Sequence, residues 1–143
     1  MTQAIAINEA QKRGEAELYQ FESAGWNPGR MVEEKAIDAV NGLHLDSSAI
    51  LSRQPRSLKD ELKKRAWDVI VALDSDSKDR AVKAGADPKR VRTLRELAGE
   101  EGDVTDPYGQ PSEIYAERAR EILGLLEKGW KNMSRNPQKP PGW

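Results

Sequence analysis

The sequence predicts an α/β fold of three layers, α/β/α, built on a short parallel sheet. Residues 69–73 form a fully apolar run, which is typical of a buried parallel strand when helical patterns flank it. A second β-like stretch, 91–94, follows the next helical pattern, and a last amphipathic pattern covers residues 112–128. Strands that alternate with helices in this way form layered folds with a mostly parallel sheet.

The remaining elements follow from the spacing of apolar residues. Helical spacing predicts helices over 2–13, 32–41, 57–66 and from Ser75 or Ser77 to Ala84. Alternation over 18–24 predicts a strand with Tyr19 and Phe21 on one side. Turn and cap patterns complete the assignment: Ser57-x-x-Asp60 resembles a capping box, Asp87-Pro88 opens a short turn, and Gly129 ends the last helix.

Length and composition bound the organisation of the chain. Its 143 residues suit one domain, predicted over 1–129, and the Pro-rich segment 130–143 is predicted to be a disordered tail. Lys and Arg number 23 against 24 Asp and Glu, a near balance that argues against nucleic-acid binding. No secretory signal or membrane-spanning run is found, so we expect a cytoplasmic protein, with its oligomeric state open.

The chain contains no cysteine. This excludes disulfides, thiolate metal sites and a cysteine nucleophile within these 143 residues.

Four segments occur in a distinctive order. They are Glu22-Ser-Ala-Gly-Trp-Asn-Pro-Gly-Arg30, Leu51-Ser-Arg-Gln54, Asp68-Val-Ile-Val-Ala-Leu-Asp74 and Gly102-Asp-Val-Thr-Asp-Pro-Tyr-Gly109. This set, ending before a helix, resembles the low molecular weight protein-tyrosine phosphatases and their arsenate-reductase-like relatives. The resemblance covers about residues 1–128.

The resemblance implies a cysteine-dependent phosphatase mechanism. In that family a Cys-x5-Arg-Ser loop follows the first strand, its Cys attacks phosphorus, and its amides and Arg hold the phosphate oxygens. An acid from the Asp-Pro-Tyr segment protonates the leaving phenolate, and that acid matches Asp106. Trp26 and Tyr108 match aromatic positions of the substrate groove. The implied substrate is a phosphotyrosine protein or a small aryl phosphate, with no cofactor and no metal.

The chain departs from this family at its start. The family's first strand and Cys-x5-Arg-Ser loop would lie before Met1, and Ile50 stands where the family often has His. We therefore expect a domain without its first strand and without phosphatase activity. The strands beside the missing one should have exposed edges, which should make the protein poorly stable or cause it to associate. A start placed too late, a partial sequence and a natural inactive relative that only binds all remain open.

Other readings of single motifs also remain open. Asp106-Pro107-Tyr108-Gly109 is equally an ordinary type I turn, and Trp26 is equally a loop anchor. The substrate is phosphotyrosine, phosphoarginine or arsenate by the same resemblance. Asp74-x-Asp76 after an apolar strand resembles the nucleophile motif of haloacid-dehalogenase-type phosphatases, although a helix cap is the plainer interpretation. His44 stands without a partner at metal-ligand spacing in the sequence.

Overall fold

The computed structural model describes residues 1–24, 34–51 and 56–134. Within these ranges the chain divides into two compact units. The first takes its described residues from positions 1–56 and 107–124, and the second from positions 57–106 and 125–134. Buried apolar side chains occur in both units.

The first unit is helical. It contains α1 (Thr2–Lys12), a 3₁₀ turn, α2 (Glu34–Gly42), α3 (Ser48–Leu51) and the beginning of α7 (Ser112–Ser134). The predicted stop after the first helix is confirmed, since Gly14 takes a φ of 71°. The predicted helix over 32–41 is confirmed from Glu34 onward, and its first two residues lie outside the described part of the chain.

Asn8 joins α1 to the segment that enters α3. Its side-chain Oδ1 accepts a hydrogen bond of 3.0 Å from the Asp46 amide, and its Nδ2 donates one of 2.8 Å to the Asp46 carbonyl. A third bond, from Nδ2 to the carbonyl of Ala4, is also 2.8 Å long. One half-buried side chain thus joins the helix to the start of the next element.

The strand predicted over 18–24 is wrong. Residues 16–18 form a 3₁₀ turn, Tyr19 after it is extended, and residues 19–24 form no strand. The predicted facing is right, because the rings of Tyr19 and Phe21 stack with centroids 5.4 Å apart. The Phe21 carbonyl accepts its hydrogen bond of 3.1 Å from the Gln3 side chain and not from a strand. Alternation predicted which sides the residues face, but a ladder also requires a partner strand.

The second unit contains the sheet. Its elements are α4 (Leu58–Lys64), β1 (Ile70–Ala72), α5 (Ser75–Lys83), β2 (Val91–Thr93), α6 (Leu94–Leu97) and the end of α7. The strands β1 and β2 are parallel, with Ile70 opposite Val91 and Ala72 opposite Thr93. This confirms the predicted parallel sheet. A small cluster packs against it, formed by Ala81, Ala86 and Val91 with Leu58, Leu62, Ile70 and Val82.

Side-chain caps set the helix starts of this unit. The predicted turn at Asp87-Pro88 is confirmed as a 3₁₀ helix, in which Asp87 accepts a bond of 3.0 Å from the Lys89 amide. The capping box predicted at Ser57 is wrong, because Ser57 precedes α4 without a side-chain bond. A capping box does form between Thr93 and Glu96 at the start of α6.

The last helix is longer than predicted. It was predicted to end at Gly129, whereas α7 runs to Ser134, so residues 130–134 are helix and not tail. Trp130 is buried, and Asn132 Nδ2 donates a 2.7 Å bond to the Leu97 carbonyl. Gly129 serves packing here, since a Cβ on it would lie 2.8 Å from the Leu97 carbonyl oxygen. Residues 135–143 lie outside the described ranges, within which no helix has the apolar length to cross a bilayer.

Two glycines of α7 give a matched stability test. Gly129→Ala should lower the free energy of unfolding by about 1–3 kcal/mol, because the new methyl meets the backbone of α6. Gly124→Ala should raise it by up to about 1 kcal/mol, because nothing lies within 4 Å of its Cβ position and alanine favours the helix. Urea unfolding measures both. Equal effects of the same sign would contradict the close packing of Gly129.

Candidate active site at the Asp106 loop

Asp106 lies at the end of a loop that follows α6. The loop returns to the sheet at Val104, whose amide donates a 2.8 Å hydrogen bond to the Leu73 carbonyl. Val104 is buried, while Thr105 and Asp106 are exposed. The predicted acid therefore sits on the surface just beyond the carboxyl end of β1. In α/β folds that end of a parallel sheet is where ligands bind.

Asp103 holds this loop against the start of α5. Its Oδ1 accepts two hydrogen bonds from Ser75, one of 3.0 Å from the amide and one of 2.9 Å from the hydroxyl. The carbonyl of Asp103 accepts a further bond of 3.1 Å from Arg95 Nε. The sequence pattern indicated Ser75 only as a possible helix start and gave Asp103 no role of its own, and the two residues are 28 positions apart.

Arg95 belongs to an ion-pair network on the other side of the loop. Its guanidinium lies 2.9 Å from Glu100 Oε1, and Lys128 Nζ lies 2.7 Å from Glu100 Oε2. The hydrogen bond from Lys128 lowers the pKa of the Glu100 carboxyl, against a smaller opposing effect of burial. Glu100 is therefore an anion that ties α6 to the end of α7, and it is not a candidate proton donor.

A polar recess of about 360 Å³ opens beside the carboxyl ends of β1 and β2. Its one basic lining side chain is Lys78, and three lining side chains are acidic. Lys78 Nζ is already paired with Glu96, at 2.9 and 3.1 Å from the two carboxylate oxygens. The recess therefore presents no unpaired cation to a phosphate within the described residues. Its lining is Ser75, Lys78, Asp79, Thr93, Glu96, Glu101 and Gly102.

Tyr108 belongs to the first unit, where it lies in a turn. The turn is closed by a 2.9 Å bond from the Gln110 amide to the Pro107 carbonyl, with Gly109 at a φ of 79°. The turn therefore covers residues 107–110, one residue later than the predicted turn over 106–109. Gly109 is its third residue, where a positive φ is typical of a type II turn. The Tyr108 side chain is 62% exposed.

Lys35 of α2 supports this turn from the same unit. Its Nζ donates a 2.9 Å bond to the Gln110 carbonyl and lies 6.0 Å from the centroid of the buried Tyr115 ring. The turn that carries Tyr108 is therefore attached to a helix at one end and enters α7 at the other.

The other positions that the sequence analysis named lie elsewhere in the chain. Trp26 lies outside the described residues, as do positions 52–55 of the second quoted segment. Ile50, which stands where the family often has His, is buried in α3. Glu22, the first residue of the quoted segments, forms an ion pair with Arg56.

Asp74 is occupied as a helix cap. Its carboxylate accepts a 2.7 Å hydrogen bond from the Ser77 amide at the start of α5. This confirms the capping interpretation, with Asp74 as the cap and not Ser75 or Ser77. Within the described ranges no cluster of three or more His, Asp or Glu could hold a metal ion.

Comparisons with known proteins agree on one family. The sequence model described as low molecular weight phosphotyrosine protein phosphatase matches residues 1–139. A low molecular weight protein tyrosine phosphatase from T. tengcongensis is 27% identical, with a TM-score of 0.75 over 89% of this chain and 85% of that chain. A protein of the same description from Bacillus subtilis is 26% identical, with a TM-score of 0.72 over 89% and 83% of the two chains.

A third structure has a different stated substrate. It is a cysteine-to-serine mutant of the YwlE arginine phosphatase with a phosphorylated active-site serine. It is 26% identical, with a TM-score of 0.80 over 96% of this chain and 88% of that chain. A search of curated protein sequences finds no significant match. The structural matches confirm the predicted mixed α/β fold with a short parallel sheet.

Proposed function

Because the chain belongs to the low molecular weight phosphotyrosine protein phosphatase family, we propose that it carries the acid-bearing part of a site for aryl phosphate esters. Asp106 is the proton donor in this proposal, and Tyr108 and Trp26 line the groove for the aryl ring. The roles of these three residues come from the resemblance of the Asp-Pro-Tyr and Gly-Trp segments to the family's motifs.

The position of Asp106 is the observation that supports this role best. Its carboxyl group is exposed on a loop that is bonded to the carboxyl end of β1 through Val104. A phenolate is a poor leaving group because phenols of the tyrosine type have a pKa of about 10. A carboxylic acid that gives it a proton as the P–O bond breaks accelerates the reaction by roughly 10²–10⁴-fold.

Tyr108 supports an aryl substrate. Its side chain is 62% exposed, so a large part of its ring surface faces solvent. Aromatic pairs stabilise each other through stacked or edge-to-face contacts. Phosphotyrosine offers such a ring, whereas phosphoarginine offers a planar cationic group, which also binds aromatic faces. Phosphoarginine is the second candidate substrate, favoured by the similarity to the YwlE arginine phosphatase.

The nucleophile is the part that these 143 residues do not supply. They contain no cysteine, and Asp74 is engaged as a helix cap. We therefore propose that these residues bind a phosphorylated ligand at most, without hydrolysing it, as a pseudophosphatase would. The arsenate-reductase-like alternative depends on the same missing thiolate and gains no support from the described residues.

The test is a paired turnover and binding measurement on the purified 143-residue chain. Phosphotyrosine and phosphoarginine are each incubated with the protein, phosphate release is followed, and NMR shifts are recorded at Asp106 and Tyr108. We expect no phosphate release above buffer, and shifts at both residues with phosphotyrosine that exceed those with phosphoarginine.

Three results would contradict parts of this proposal. Turnover that is lost in Asp74→Asn would support the Asp74 nucleophile and overturn the inactive assignment. Larger shifts with phosphoarginine would replace the aryl substrate with the second candidate. Shifts confined to residues far from Asp106 and Tyr108 would contradict the site itself.

A further inference from the structure

Asp103 is an exposed loop residue that accepts three hydrogen bonds from two other residues. Its carboxylate accepts both donors of Ser75, at 3.0 Å and 2.9 Å, and its carbonyl accepts from Arg95 at 3.1 Å. The next residue, Val104, bonds to Leu73 at 2.8 Å. The side chain of Asp103 is thus attached to α5, and the peptide group that joins Asp103 to Val104 is attached to α6 and to the residue after β1.

This anchor lies close to Asp106 along the chain. Asp106 follows Val104 by two residues, and two residues span at most about 7 Å. Thr105 and Asp106 are themselves exposed. On the side of the second unit, the place of the acid is therefore set by the anchor at 103–104.

The start of α5 suits a carboxylate. The first amides of a helix have no partner within the helix, and the helix dipole attracts negative charge there. Two carboxylates accept hydrogen bonds from two of these amides: Asp103 accepts from the Ser75 amide, and Asp74 accepts from the Ser77 amide. Asp74 completes its own helix, whereas Asp103 comes from a loop 28 residues further along the chain. The second carboxylate therefore attaches a loop to the helix.

We propose that Asp103 is a positioning residue, which fixes the Asp106 loop by binding Ser75 at the start of α5. This role rests on the proposed function of Asp106 as the proton donor. Asp103 itself touches no substrate in this proposal. Arg95 assists it from the other side by holding the carbonyl of the same residue.

The test uses isotope-labelled samples of the 143-residue chain. Asp103→Ala removes the acceptor of both Ser75 donors. We expect exchange of the Val104 amide to become roughly five- to hundredfold faster, as the loss of two net hydrogen bonds gives. The heteronuclear NOE of Asp106 should fall at the same time. Asp103→Asn keeps an oxygen acceptor and should restore most of both signals.

Asp79→Ala is the matched control, because it removes an exposed carboxylate from α5 itself. It should leave the Val104 and Asp106 signals unchanged. An unchanged Asp106 NOE in Asp103→Ala would overturn the proposal. Faster exchange of all amides alike would also overturn it, since that result means general destabilisation.

The proposed function is tested separately, because neither NMR signal depends on Asp106 acting as an acid. Turnover of Asp106→Ala is measured separately, in a protein to which the family's Cys-x5-Arg-Ser loop has been added. If Asp103→Ala loosens the loop but Asp106→Ala leaves that turnover unchanged, then Asp103 only holds a surface loop, and its role in positioning a catalytic acid is overturned. Loosening together with a turnover loss in Asp106→Ala supports both proposals.

Discussion

Replacing Asp106 with alanine should lower kcat for phenyl phosphate by roughly 10²–10⁴-fold in a protein that contains both halves of the site. Such a protein is obtained by placing the family's first strand and Cys-x5-Arg-Ser loop in front of residue 1, and it is called the grafted protein here. The thiolate of the added loop attacks phosphorus, the P–O bond to the phenol breaks, and Asp106 gives its proton to the leaving oxygen.

The leaving group separates this role from a structural one. Dinitrophenolate departs without a proton, so Asp106→Ala should slow the dinitrophenyl ester far less than the phenyl ester. Asp38→Ala, which removes another exposed carboxylate, is the control and should change neither rate. Equal losses with both esters would contradict the assignment of Asp106 as the proton donor.

Replacing Trp130 with alanine should lower the free energy of unfolding by about 3–5 kcal/mol. Trp130 is 1% exposed, in a part of α7 that the sequence pattern placed beyond the domain. Gly129 allows the helix to approach the Leu97 carbonyl, and Asn132 donates to that same oxygen. Removing the indole leaves a large cavity beside contacts that cannot close without breaking this arrangement.

Trp67→Ala is the matched control for this measurement. Trp67 is only partly buried, and its ring faces the Arg65 guanidinium at 4.9 Å. Its removal should cost clearly less, near the 0.5–1 kcal/mol typical of an exposed cation–π pair plus some lost packing. The free energies of unfolding of the two variants are compared by urea unfolding, with one m-value used for both. A Trp130→Ala protein as stable as Trp67→Ala would contradict the burial of the helix end.

Sequence patterns predicted the elements that are defined by local chemistry. The apolar run 69–73 gave β1, and the Asp87-Pro88 pair gave the turn before β2. A four-residue helix such as α6 is too short for a periodic signal. Its capping box, Thr93-Leu94-Arg95-Glu96, was nevertheless readable in the sequence. Gly129 was mistaken for a stop because local propensity alone does not show close packing against α6.

The candidate site was less accessible to sequence reasoning. Asp106 was found through the resemblance of a short motif and not through any property of the loop that carries it. The bonds from Ser75 to Asp103 and from Val104 to Leu73 join positions about 30 residues apart, which no periodicity reports. The turn at Tyr108 was predicted one residue early because Pro107 and Gly109 suit two neighbouring turn registers.

The most direct test of the central proposal is phenol release from phenyl phosphate by the grafted protein. It is measured beside the 143-residue chain and a form of the grafted protein with serine in place of its cysteine. If these residues carry the acid-bearing part of a phosphatase site, the grafted protein turns over substrate and the two proteins without the cysteine do not. A folded grafted protein without turnover, or a 143-residue chain that turns over equally well, would contradict it.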